Sequence, residues 1–367
     1  YITMKEKYFF ILIFSFLLIS CKKDLIPIYG CTDSNAINYN PNASIDDGSC
    51  LNFSTNPYQI PSIVGFPLMK IPENNPTTIE GVILGEKLFN DPILSADNTL
   101  ACINCHQKEF SFSDPNQFSF GIQGIAGNRQ SSALINVGWN NSFNWDGSAN
   151  SLEEQAFEPI TNPLEMNNTW QNVEEKLNNN QEYKQLFKQA FNIDYIDSNH
   201  VVKAIAQFER TLISNESKFD KYLKGEILLT QSEFNGYAIF NSEKGDCFHC
   251  HGTNMFMDNL FHNNGLDTEP FQDLGLGKIT NIQSDNGKFK TPTLRNIEFT
   301  APYMHDGRFS TLEEVIEHYN SGGKFSSTVD PLMKKQGVGL QLSNQEKIDL
   351  IAYLKTLSDY NFIEDNN

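Results

Sequence analysis

Basic residues, cysteines and long apolar runs are all scarce in this chain, and each shortage excludes something. Lysine and arginine number 27 against 45 aspartates and glutamates, giving a net charge of −18 over 367 residues. A chain of that sign repels nucleic acid and anionic lipid surfaces, and a small basic protein suits it better as a partner. The apolar run Tyr8–Ile19 is too short for a comfortable membrane span. Only seven cysteines are present, too few for a disulfide-built scaffold at this length, so a hydrophobic core must carry the fold.

What is present begins with a targeting segment, residues 1–20. Lys5 and Lys7 precede the apolar run, and the ending Leu18-Ile19-Ser20-Cys21 resembles a bacterial lipobox, in which the cysteine is lipidated and becomes the mature N-terminus. The alternative is a signal peptide cut elsewhere, with Cys21 discarded. Residues before Met4 then lie upstream of the true start. Either way the chain is expected to be exported, to the periplasm, with a lipid on Cys21 as its membrane attachment. Free thiols are not expected there. Within a tether over residues 21–55, Cys31 and Cys50 bracket a short polar loop, and a disulfide is the economical assignment. Asp33, Asp46 and Asp47 in that loop read as turn residues before they read as calcium ligands.

The rest of the chain is written twice. Gly85-Glu-Lys-Leu-Phe89 precedes one Cys-x-x-Cys-His motif, and Gly236-Tyr-Ala-Ile-Phe240 precedes a second. Trp145-Asp-Gly-Ser-Ala-Asn-Ser-Leu-Glu-Glu154 aligns without a gap to His305-Asp-Gly-Arg-Phe-Ser-Thr-Leu-Glu-Glu314, at an offset of 160. Two related domains, residues 56–225 and 226–361, with a tail at 362–367, are the natural reading. Both are helical, with few strands. Ser151, Thr230, Thr311 and Ser343 each stand three residues before a glutamate, the signature of a capping box. Val201, Val202, Ile205, Phe208 and Leu212 follow helical spacing. Long Gly- and Asn-rich loops at 114–145 and 263–292 suit domains whose cores are completed by a cofactor.

Cys-x-x-Cys places two thiols on one face of a helical turn, matching the two vinyl groups of a haem edge, and the next histidine reaches the iron. Cys102, Cys105 and His106 are therefore assigned to a first haem c, and Cys247, Cys250 and His251 to a second. A zinc site needs two pairs close together, and a redox dithiol needs neither the histidines nor the duplication. His249 reads as a spacer inside the second motif. His200 and His262 are weak ligand candidates, and His318 is expected to face outward.

The sixth iron position decides function, because a haem closed on both sides passes electrons and an open one does chemistry. Between 107 and 165 there is no histidine or methionine, so the first haem has no visible closing ligand. The second has Met255, Met257, His262, Met304, His305 and Tyr319 downstream. The repeat aligns Tyr319 with Pro159 and Met304 with Asn144, neither of which closes an iron. One open and one closed haem are expected. Near the open one, Glu165 can move a peroxide proton and Gln155 can orient it. Read blandly, Glu165 is a surface or capping group.

With these residues in view, the chain resembles the bacterial di-haem cytochrome c peroxidases, including their MauG-like branch. The likeness runs from about residue 80 to 358 and rests on "LGEKLFNDPILS", "CINCH", "WDGSANSLEEQAFEPITNPLEM", "CFHCH", "KTPTLRNIEFTAPYMHDGRFSTLEEVIEHY" and "DLIAYLKTL". It implies an all-α protein of two cytochrome c-type haem domains. It makes Trp145 an electron bridge between the haems, and Gln155 and Glu165 the peroxide-pocket residues. It also implies a calcium ion held by the carbonyls of Thr300 and Pro302 and a side-chain amide. That amide is usually asparagine and here is Gln130. No histidine stands in the loop before Trp145 to cap the first haem, so it is expected to be open when fully oxidised. Tyr319 stands where the typical peroxidase has methionine, as in the MauG-like branch, with Met304 the alternative ligand. A phenolate there favours ferric iron and depresses the potential.

Three functions follow. The first is reduction of hydrogen peroxide, with electrons from a cytochrome c or small copper protein. The second is peroxide-dependent oxidation of a protein side chain. The third is a non-enzymatic electron carrier with two closed haems. A homodimer is common among such relatives, though no sequence feature marks its face.

Overall fold

The computed structural model describes residues 27–34, 36, 38–50, 55–333 and 336–364. The segment 1–20 and Cys21 lie outside the described residues. The chain divides into two units, Tyr1–Asn52 and Phe53–Asn367. In the first, Cys31 and Cys50 form the disulfide, with Cα atoms 4.7 Å apart. Asp46 accepts from the Gly48 amide at 2.8 Å and Asp47 from the Ser49 amide at 3.0 Å, so both carboxylates shape their own turns.

The second unit is helical, with one two-stranded ribbon, β1 (Phe261–His262) against β2 (Phe289–Lys290). Its helices are α1 (Ile79–Asn90), α2 (Leu152–Gln155), α3 (Phe157–Thr161), α4 (Trp170–Asn178), α5 (Gln181–Phe191) and α6 (Ser198–Glu209), followed by α7 (Lys218–Leu223), α8 (Gln231–Phe240) and α9 (Phe248–His251). Then come α10 (Leu276–Thr280), α11 (Leu312–Ser321), α12 (Asn344–Lys355) and α13 (Tyr360–Ile363). Thr230, Thr311 and Ser343 form reciprocal capping boxes with Glu233, Glu314 and Glu346. Ser151 caps α2, but Glu154 reaches back to the Asn150 amide at 2.8 Å instead of to Ser151. Ser217 and Asp220 form a further box at α7 that the S/T-x-x-E pattern does not find.

The repeated glycines have a steric reason. A Cβ on Gly85 would sit 2.0 Å from the Ala204 carbonyl oxygen, and one on Gly236 would sit 2.0 Å from that of Asp349. Bare backbone at these two places lets α1 press on α6 and α8 on α12. Leu84, Leu88, Val201 and Ile205 fill the core around the first pair. Phe240, Leu350 and Tyr353 do so around the second. Arg295 is 1 % exposed and makes two 2.9 Å hydrogen bonds to Asp220, tying α7 to the segment that follows β2.

The duplication is visible in the backbone. Phe143 bridges Ala149, and Tyr303 bridges Phe309, the same pair 160 residues on. Within these turns Asn144 and Met304 both have left-handed backbone, φ 60° and 75°. The halves then exchange equivalent hydrogen bonds: the Gln130 amide donates to the His305 carbonyl and the Lys290 amide to the Trp145 carbonyl, both at 2.8 Å. Gly236→Ala is expected to force α8 from α12 and cost about 3 kcal/mol. A lower denaturant midpoint at unchanged m, by far-UV circular dichroism of the intact protein, checks it.

Candidate functional site

Cys102 opens a 3₁₀ turn, Cys102–Asn104, in which the Asn104 side chain accepts the Ala101 amide at 2.7 Å. In the second motif Cys247 is the N-cap of α9, and Cys250 and His251 lie on that helix. All four motif cysteines are free of disulfides. Burial pushes the Cys105 thiol up to about 11 and the Cys247 thiol up to about 12, and it raises Cys102 as well. A redox dithiol needs a lowered thiol pKa, so these pairs are not built for disulfide exchange.

Each motif histidine is aimed by a backbone carbonyl. His106 Nδ1 lies 3.0 Å from the Phe112 oxygen and His251 Nδ1 lies 2.7 Å from the Phe256 oxygen. Donation from Nδ1 leaves Nε2 as the lone pair for a metal. Burial lowers both imidazole pKa values and keeps the rings neutral. The accepting residues share a left-handed backbone, φ 57° at Phe112 and 51° at Phe256, a conformation rare for an aromatic residue. Both motifs line one cavity of about 550 Å³. Two thiols and one aimed imidazole, present twice along one cavity, fit two covalently attached haems.

Gln155, Pro159 and Glu165 line the cavity together with the first motif. Glu165 ends the turn after α3. Its Oε1 accepts from Asn162 Nδ2 at 2.7 Å, and the residue lines the cavity. Burial raises its pKa, with the Asn162 bond opposing and Glu158 adding to the rise. Met166, one residue on, also reaches the cavity wall but packs into the core of the first half. Trp145 donates from Nε1 to the Gln130 carbonyl at 2.8 Å, which fixes its ring on the wall shared with both motifs. The Gln130 amide nitrogen donates to Ser113 Oγ at 2.8 Å and the Asp114 carbonyl at 3.2 Å, so its oxygen is free to accept. Thr300 and Pro302 line the same cavity.

Around the second motif, Asn264 Nδ2 lies 3.1 Å from the Tyr319 hydroxyl and 3.6 Å from Met304 Sδ. Both candidate sixth ligands thus converge on one donor. Burial pushes the Tyr319 phenol up to about 12, against the lowering effect of Asn264. His262 is held between Asp258 at 2.7 Å and Asp330 at 2.6 Å, so neither ring nitrogen is free for iron. His200 bonds Asp197 at 2.8 Å in the first turn of α6. His249 pairs with Asp246 at 3.1 Å. His318, expected to face outward, instead turns inward and bonds the Asn264 carbonyl at 3.0 Å. The reason is that the 263–265 loop crosses α11 beside Tyr319 and offers that face an acceptor.

Three cavity residues escaped the motif reading. Asn264 is positioned only by tertiary structure. Glu209 is 4 % exposed, and burial pushes its pKa up to about 8. Its Oε2 has no partner. It falls four residues after Ile205 on the buried stripe of α6, a signal present in the spacing. The third is Lys290, which lines the cavity.

Comparison with known proteins agrees with this geometry. A sequence model of the family "di-haem cytochrome c peroxidase" matches residues 79–227. The methylamine utilization protein MauG of Methylorubrum extorquens is 38 % identical over 290 residues, covering 78 % of this chain and 80 % of that one. The chain belongs to the di-haem cytochrome c peroxidase family. Cytochrome c551 peroxidase of Nitrosomonas europaea is 32 % identical over 297 residues, 80 % of this chain and 84 % of that one. The crystal structure of a MauG-like protein associated with microbial copper homeostasis superposes with TM-score 0.79 at 33 % identity, covering 84 % of this chain and 98 % of that one. Membership implies two c-type haems and oxidoreductase chemistry on peroxide. In this member of the family, Tyr319→Phe is expected to change the ferric spectrum of the second haem, and Met304→Leu to leave it unchanged. Optical and electron-spin spectra of the two variants check this.

Proposed function

We propose that the chain reduces hydrogen peroxide to water at the haem held by Cys102, Cys105 and His106. The observation that carries this reading is the half-buried carboxyl of Glu165, with its raised pKa, on the cavity wall it shares with that motif. The haem iron supplies the redox chemistry that cleaves the oxygen–oxygen bond. Glu165 Oε2 takes the proton from the incoming peroxide and delivers it to the departing oxygen, while Asn162 holds Oε1 and fixes the carboxyl plane. Gln155, on the same wall, orients the peroxide. Two electrons and two protons complete the conversion to two waters. The electrons would come from a small cytochrome c or copper protein, and Trp145, on the wall shared by both motifs, would bridge the two haems. An acidic chain favours a basic donor. Tyr319 would hold the open face of the second haem, with Met304 the alternative. Gln130 Oε1 and the Thr300 and Pro302 carbonyls would hold a calcium ion. The chain works outside the cytoplasm, tethered by a lipid on Cys21. No helix among the described residues is long and apolar enough to cross a membrane.

A second reading, peroxide-dependent oxidation of a protein side chain, is favoured by Tyr319 on the cavity wall, since a phenolate ligand favours higher iron oxidation states. Turnover of peroxide with reduced cytochrome c, compared with turnover with a protein substrate, separates the two. Failure of the ferric protein to bind cyanide or peroxide would return the chain to a plain electron carrier.

Glu165→Gln is expected to lower kcat/KM for peroxide by about 10²- to 10⁴-fold. The wild-type rate needs the ionised carboxylate, so it rises with pH through the Glu165 pKa. Because burial raises that pKa, the rising limb lies above the ordinary carboxylate value of about 4.3. The variant should lack that limb in a pH–rate profile.

A further inference from the structure

Each haem carries two propionate carboxylates, so the two-haem reading, on which this inference rests, brings four further negative charges into a chain whose net charge is already −18. Buried carboxylates need cationic or hydrogen-bonding partners. Only two lysine or arginine side chains line the cavity among the described residues, Arg129 and Lys290. Arg129 is spent: it bonds Asp146 at 2.6 Å and Asp273 at 2.7 and 2.9 Å.

Lys290 is not. Among the described residues its ammonium makes no hydrogen bond or ion pair. Asp258 is the acid that acts on it, and Asp258 already accepts from His262 at 2.7 Å and from the Leu260 amide at 2.9 Å. Burial pushes the Lys290 pKa down to about 8, as expected of an ammonium whose counter-charge is missing. The backbone there is fixed twice, by pairing of Lys290 with Phe261 in the β1–β2 ribbon and by its 2.8 Å bond to the Trp145 carbonyl. The internal repeat gives the position a meaning. Lys290 is the counterpart of Gln130, and the two make equivalent bonds across the boundary between halves. One half presents an amide oxygen at this point, and the other presents a fixed positive charge.

We propose that the Lys290 ammonium is the built-in counter-ion of a propionate of the second haem, and that it holds that haem's reduction potential up. The second haem is assigned because Lys290 lies in the second half, on the β1–β2 ribbon of that half, and lines the cavity with the second motif. A cation next to the propionate stabilises the reduced, more negative haem, so its removal favours the ferric form.

The test uses the full-length, haem-loaded protein. Haem content by pyridine haemochrome comes first; fewer than two haems per wild-type chain would overturn both the two-haem reading and this proposal. With two haems present, Lys290→Met should shift the second haem's reduction equilibrium about tenfold toward ferric, or about 59 mV for one electron. The first haem should move much less. Propionate-bending bands in the resonance Raman spectrum should shift with it, and Lys290→Arg should restore both signals. Lys290→Gln serves if the methionine variant does not mature. Wild-type potentials and propionate bands in a charge-removing variant with two haems would overturn the proposal while leaving the peroxidase reading intact. A shift confined to the first haem would overturn it equally.

Discussion

An imidazole has two nitrogens, and this structure commits one of them twice over. In each half the motif histidine gives Nδ1–H to the carbonyl of a phenylalanine held in left-handed backbone, His106 to Phe112 and His251 to Phe256. That bond fixes the tautomer and leaves Nε2 of each ring, on the cavity wall, as the nitrogen that would hold a haem iron. Everything else is arranged around the two slots so defined. The glycine-close crossings of α1 with α6 and α8 with α12 wall them on one side. The long loops wall them on the other, which explains why so much irregular backbone is tolerated in a well-packed unit.

Duplication then made difference possible. The turns at 143–149 and 303–309 keep one backbone shape while their side chains diverge, Asn144 against Met304 and Trp145 against His305. Further along, Pro159 stands where the second half has Tyr319. Steric demands on the shared turn preserve the fold, so the ligand positions are free to vary. One helix–loop plan can therefore offer an iron-binding side chain in one half and none in the other. The same freedom put an amide at Gln130 and an ammonium at Lys290, in backbone positions that exchange matching hydrogen bonds.

The cavity is an electrostatic compromise. Glu165 and Glu209 are carboxyls held in apolar surroundings with raised pKa values, and Lys290 is an ammonium with a lowered one. Such groups are costly to bury alone. Their presence beside the haem slots suits a site that moves protons and carries charged cofactor edges.

Much of this was legible in the residues alone. The two Cys-x-x-Cys-His motifs, the repeat at 160, the helical class and three of the four capping boxes follow from local spacing, because helical period and motif chemistry are properties of neighbours in the chain. The Ser217–Asp220 box was hidden because aspartate did the work expected of glutamate. Glu209 was legible in principle, on the buried stripe of α6, but its meaning depends on what the stripe faces. The inward turn of His318, the occupied ring of His262, the shared donor Asn264 and the unpaired charge of Lys290 were not legible at all. Each depends on a contact between segments tens of residues apart, such as the 263–265 loop lying across α11. The chain by itself determined what chemistry each half could hold. Tertiary structure decided which side chains face that chemistry, because burial and hydrogen-bond partnership belong to packed surfaces and not to sequence order.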